Sequence, residues 1–189
     1  AKKGCLRAIG NAVVMTQNYH PNMVILLLRF KDLLQIDEED RYDDWQLYRA
    51  PLAGGKAVQV SGKEGPAGLL HFLHGVSPDG QQLAFVGVQA EINDVNFRFI
   101  TAEICTLSAD GRGFRQITFG GAPSDGPEYS PDGQWLYFNT EAFSGHAQIA
   151  RMRPDGTDMV RLTDEPTVDW FPHISPDGTL AVYLAYPAG

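Results

Sequence analysis

Three residues able to hold a ligand or move a proton stand just ahead of three copies of one tetrapeptide. His74 precedes Ser77-Pro78-Asp79-Gly80, Glu128 precedes Ser130-Pro131-Asp132-Gly133, and His173 precedes Ser175-Pro176-Asp177-Gly178. Neutral imidazoles and a carboxylate brought together from separate segments would bind a divalent metal or a polar ligand. The offsets weigh against a shared site. His74 lies three residues before its serine while Glu128 and His173 lie two before theirs, and alternation along a strand would point His74 the other way. Ordinary hydrogen-bonded residues therefore outrank a ligand site at these positions; no cofactor is expected, and any metal would fall to His74 and His173. His20, His71 and His146 show no partner pattern and read as surface or packing residues.

The aspartates look like a second constellation but carry a local role. Asp79, Asp132 and Asp177, with Asp110 and Asp155, each occupy a turn position, where the carboxylate holds its own backbone. None is expected to be catalytic. A nucleophile elbow would read Gly-x-Ser-x-Gly on a strand-to-helix turn. The run Gly75-Val76-Ser77-Pro78-Asp79 breaks that pattern at its last position, so a peptidase could use this chain only as its non-catalytic part. Cys5 and Cys105 neither form a disulfide framework nor match a metal spacing, and Cys105 reads as a small buried residue. Trp45, Trp135, Trp170, Tyr137, Phe138 and Phe171 would make a stacking surface for a sugar or peptide, but their place within strands favours packing between sheets.

The elements that position these residues follow from the tetrapeptide. Proline presets φ for the first central position of a β-turn, aspartate bonds its own backbone, and glycine takes positive φ without a Cβ clash. Gly80, Gly133 and Gly178 thus close reversals between strands. Each copy is followed by an apolar run: Leu83-Ala84-Phe85-Val86, Trp135-Leu136-Tyr137-Phe138 and Leu180-Ala181-Val182-Tyr183. From Ser77 to Ser130 is 53 residues and from Ser130 to Ser175 is 45, the longer interval holding a polar insertion at 89–96. A second series of reversals interleaves with the first, at 52–55, 108–111 and 153–156, each with an alternating strand before it and a short strand after it. Four strands per repeat of roughly 40 to 50 residues marks a β-propeller blade. The expected fold is all-β, a propeller of four-stranded antiparallel blades with about three and a half blades present, a fragment of a ring of about six. Blade ends fall near 61, 118 and 163, and the last blade is incomplete. Residues 1–44 are harder to read: 12–16 suits a strand, 23–30 reads as a strand in preference to a helix, and 37–44 is an acidic solvated loop.

Composition narrows the function. A net charge of −8 opposes non-specific binding to nucleic acid, which rests on lysine and arginine neutralising phosphates. The longest apolar run, at 23–28, is far short of the roughly 20 residues that span a bilayer as a helix. Residues 1–22 lack the apolar core of a secretory leader, although opening on Ala1 leaves room for a leader or upstream segment already removed.

The repeats SPDGQQLAFVG, DGPEYSPDGQWLYFNT and DWFPHISPDGTLAVYLAY, each paired with a following strand, x-Asp-Gly and strand, resemble the TolB-type β-propeller repeat over residues 45–189. The resemblance implies a non-enzymatic scaffold that binds a protein or peptide partner, as the TolB propeller binds the lipoprotein Pal in the bacterial envelope. It implies a periplasmic location if a leader has been removed, and a cytoplasmic one otherwise. The same repeat builds the propellers of oligogalacturonate lyases, which bind a metal through histidines, and those that gate prolyl oligopeptidase-like peptidases. A metal-dependent lyase or hydrolase is therefore the alternative. Exposed blade faces would favour self-association.

Overall fold

Each Ser-Pro-Asp-Gly segment folds on its own hydrogen bonds. In a computed structural model of the chain, Gly80 N–H donates to Ser77 O at 2.8 Å with Gly80 at φ 70°. The Ser77 hydroxyl donates to Asp79 Oδ1 at 2.6 Å, and the same oxygen accepts from Gln81 N–H at 3.0 Å. Ser130 with Asp132, and Ser175 with Asp177, repeat the pattern at 2.5 Å each. These bonds hold the carboxyls of Asp79 and Asp132 below their usual range, the serine hydroxyl being the largest cause, and bring Asp177 to about 2. A second set of reversals is built alike, with Asp110 engaged by Arg112 and the Ser108 hydroxyl and Asp155 by Thr157.

The structure describes residues 7–9, 12–14, 24–27, 46–51, 56–92 and 97–187. The acidic run at 37–44, the reversal expected at 52–55, Cys5, His20 and Trp45 lie outside the described residues. Strands β1 (Arg7–Ile9) and β2 (Ala12–Val14) form a hairpin of their own. β3 (Val24–Leu27), β4 (Leu47–Ala50) and β5 (Val58–Gln59) make a three-stranded antiparallel sheet. A strand rather than a helix therefore occupies 24–27, and β2 pairs with β1 instead of extending that sheet. β6 (Leu70–Val76), β7 (Gln82–Ile92), β8 (Phe97–Ser108) and β9 (Arg115–Gln116) form a four-stranded meander, and so do β10 (Ser124–Tyr129), β11 (Leu136–Thr140), β12 (Gln148–Met152) and β13 (Val160–Arg161). β14 (Thr167–Ile174) pairs with β15 (Ala181–Pro187). The first strands of successive sheets touch, β6 against β10 and β10 against β14, as innermost strands around an axis must. The chain folds as an all-β partial propeller. Among the described residues no helix is long and apolar enough to cross a membrane.

The described part of the polar insertion, 89–92, continues strand β7. Glu91 pairs with Arg98 and Ile92 with Phe97, so β7 and β8 form a hairpin longer than its counterpart in the next sheet. Residues 83–88 of β7 are buried without interruption because both faces of this sheet are covered. Leu83 and Phe85 pack with Leu47, Val60, Cys105 and Leu107 on one side, while Ala84, Val86 and Val88 pack with Leu136, Phe138 and Met152 on the other. β15, by contrast, is exposed along its whole length, Val182 and Tyr186 showing 69% and 52% of their surface.

Polar residues inside the sheets tie one blade to the next. The hydroxyls of Ser61, Thr118 and Thr163, at the end of each outer strand, accept the N–H of Leu47, Ile104 and Ile149 at 2.7, 2.8 and 2.9 Å. The residue before each of those amides is a buried Gln46, Glu103 or Gln148 whose side chain reaches the connection to the following sheet. Gln46 donates to Leu69 O at 3.3 Å, Glu103 accepts Gly121 N–H at 3.2 Å, and Gln148 donates to Thr167 O at 2.8 Å.

Candidate functional site

The innermost strands carry the residues singled out in the sequence, and a shared irregularity decides which of them meet. Each strand has a one-residue bulge: between Leu73 and Gly75 in β6, between Asp125 and Glu128 in β10, and between Trp170 and His173 in β14. The residue that resumes the ladder is Gly75 opposite Ala84, Glu128 opposite Tyr137 and His173 opposite Val182. Gly75, and not His74, is therefore the counterpart of Glu128 and His173. A Cβ at Gly75 would stand 2.7 Å from Pro127 O of the neighbouring inner strand, so the close approach of β10 excludes any side chain there. The His74 side chain lies outside the described residues.

Glu128 and His173 meet across adjacent blades. His173 Nδ1 is 2.5 Å from Glu128 Oε2, and Ile174 N–H donates to Glu128 Oε1 at 3.4 Å. Glu128 is buried, whereas the imidazole is 57% exposed. The hydrogen bond to Glu128 raises the pKa of His173 against a smaller opposing effect of burial. The pair shares a cleft of about 330 Å³ with Pro127, Phe171, Tyr183 and Leu184. Such a pair keeps a proton on Nδ1 and offers Nε2 to a ligand, the orientation found in metal-binding imidazoles. Among the described residues, no group of three or more His, Cys, Asp or Glu is placed to hold a metal.

A larger cleft opens at the end of the sheets opposite the Ser-Pro-Asp-Gly turns. It encloses about 500 Å³, and Phe72, Val86, Val88 and Ile100 of the second sheet face Asn139 and Glu141 of the third and Trp170 and Phe171 of β14. Phe171 also walls the smaller cleft, so one ring separates the two. Its backbone is left-handed, at φ 53°, an unfavourable conformation for a bulky residue. Asn139 Oδ1 accepts Phe171 N–H at 3.2 Å, and Gly126, itself at φ 63°, leaves room for the ring, since a Cβ there would lie 2.8 Å from Phe171 Cδ1. Nothing in the spacing of the sequence points to Phe171 as the bulge residue; the one available signal is that it aligns with Gly126, each four residues before its serine.

The aromatic residues divide among three roles. Phe138 is fully buried between sheets as expected, Trp170 and Phe171 line the clefts, and Trp135 lies under two guanidinium groups, with Arg151 and Arg153 at 4.2 and 3.8 Å from its ring centroid.

No family model matches the chain. It is 34% identical over 156 residues, 82% of its length, to an uncharacterized protein of Agrobacterium fabrum. Among solved structures it superposes on a candidate TolB of Agrobacterium tumefaciens with a TM-score of 0.62 at 35% identity, over 78% of this chain. The chain is a partial TolB-like β-propeller. TolB of Acinetobacter baumannii matches over 76% of the chain with a TM-score of 0.59, and at 22% identity shows the fold alone. The TolB-like propeller spans about half the length of the two Agrobacterium proteins, 48% of each, and a third of the Acinetobacter one, 33%. The bulged inner strands of this TolB-like propeller bring Glu128 to His173 and set Gly75, not His74, at the matching ladder position, in keeping with the different offset of His74 in the sequence.

Proposed function

We propose that the chain is a non-enzymatic scaffold that binds a protein or peptide partner. One observation carries this reading. Side chains from three consecutive sheets build a cleft of about 500 Å³, mostly apolar with a few convergent polar groups, a form that suits the anchoring side chains of a peptide. The likeness to TolB propellers adds support at the level of the scaffold. The Glu128–His173 pair lies in the adjoining cleft, where the exposed imidazole, oriented by a buried carboxylate, offers a polar contact to a bound segment.

Selection from a random peptide display library against the purified chain tests the reading. Enrichment of a consensus that competes for one saturable site is the expected result. Absence of any enriched peptide, together with a purified chain that retains stoichiometric divalent metal and melts higher on added manganese or zinc, would overturn it in favour of a metal-dependent enzyme.

A further inference from the structure

We infer that the larger cleft recognises an extended peptide segment pairing an apolar or aromatic side chain with a lysine or arginine, an inference that rests on the scaffold reading above. Two features of the lining define the chemistry. The floor and walls are apolar: Val86, Val88 and Ala102 below, with Phe72, Trp170 and Phe171 around them, so an aliphatic or aromatic side chain entering from water is favoured. Among the described lining residues the charges are of one sign: Glu141 contributes a carboxylate, Asp125, whose Oδ1 already accepts Gly126 N–H, contributes a second, and there is no lysine, arginine or histidine. A cation beside the apolar anchor is attracted to Glu141 and can stack on the face of Trp170, while an anion is repelled both locally and by the net charge of −8.

The site is also built rather than incidental. Phe171 adopts its left-handed backbone because Asn139, a neighbour in the same cleft, accepts its N–H, and because Gly126 yields space to its ring. Local strain of this kind persists only where surrounding contacts enforce it, and it fixes the ring as the partition between the two clefts. The lengthened β7–β8 hairpin supplies the opposite wall, with Ile100 45% exposed at its rim.

Two amide-capped fluorescent peptides, Gly-Trp-Arg-Gly and Gly-Trp-Glu-Gly, test the inference by anisotropy titration of the whole chain. The arginine peptide should bind about tenfold tighter than the glutamate peptide at low ionic strength, and the gap should narrow in high salt. Glu141→Gln should weaken the arginine peptide roughly two- to fivefold and leave the glutamate peptide unweakened. Ile100→Ser, at an exposed position, should weaken both peptides together. Failure of both peptides to bind, equal binding of both, or indifference to both variants would overturn the inference. If Ile100→Ser instead converts a dimer to a monomer in sedimentation, a second copy occupies the cleft and the inference is likewise overturned. A library consensus whose binding ignores Glu141 and Ile100 would sink this assignment while leaving the scaffold reading intact.

Discussion

At Glu128 and His173 the hydrogen bond favours the protonated imidazole, so the folded pKa of His173 stands above its ordinary value of 6.5. The stabilisation from this pair is complete below the unfolded pKa and is lost as pH rises through the higher folded one. Glu128→Gln should lower the His173 titration midpoint followed by imidazole NMR; an unchanged midpoint would show that the carboxylate does not hold the proton. His71 behaves in the opposite sense. It is 2% exposed, its ring centroid is 4.7 Å from that of Phe85, neither ring nitrogen has a hydrogen-bond partner among the described residues, and burial lowers its pKa to about 4. The unfolded chain takes up this proton near pH 6.5 while the folded one resists until about 4, so stability falls across that window by up to about 3 kcal/mol. His71→Phe should remove this component, which urea midpoints at pH 7, 5 and 4 would reveal as a shallower acid slope. Cys105, its thiol pushed up to about 12 by burial, should resist alkylation in the folded chain.

Among the elements, the reversals were legible in the sequence because each member does something chemically distinct. Serine caps, proline presets, aspartate bonds and glycine turns left-handed. The ties between sheets were not legible. Ser61, Thr118 and Thr163 vary between serine and threonine, and Gln46, Glu103 and Gln148 between amide and acid, so the repeat is one of hydrogen-bonding capacity rather than of residue type. The bulges were hidden for a related reason, since glycine at 126 and phenylalanine at 171 fill the same left-handed position. The offset of His74 by one residue was legible by counting, and the ladder agrees with it, Gly75 taking the place that Glu128 and His173 hold in their strands. The hydroxyl of Thr118 serves two buried groups, accepting from Ile104 N–H and donating to Glu103 Oε2 at 2.5 Å. Thr118→Val keeps the shape and strands both, and should cost about 1–3 kcal/mol by chemical denaturation. A cost near zero would mean that water replaces the hydroxyl.

For the molecule as a whole, the repeat spacing made the architecture legible: sheets of antiparallel strands set around an axis, with inner strands in mutual contact. The clefts were not legible, because they arise between sheets, the larger one among three of them, and no single segment carries their pattern. Their aromatic lining shows the limit of reading one strand at a time. Trp170 and Phe171 sit in a strand as packing residues would, yet they turn to open space. The exposed apolar row of β15 carries its own expectation. Val182→Lys with Leu184→Lys should reduce concentration-dependent self-association measured by light scattering, at little cost in folding, because both side chains are already in water.

The double cover on the second sheet has a consequence for how the chain opens. Its apolar rows lie against neighbours on both sides, whereas β15 has a bare flank. Backbone amides of β7 and the paired part of β8 should therefore be the slowest to exchange with deuterium, and those of β15 the quickest. Opening would then proceed as a fraying from the margin inward, with the middle of the array as the last part to let solvent in.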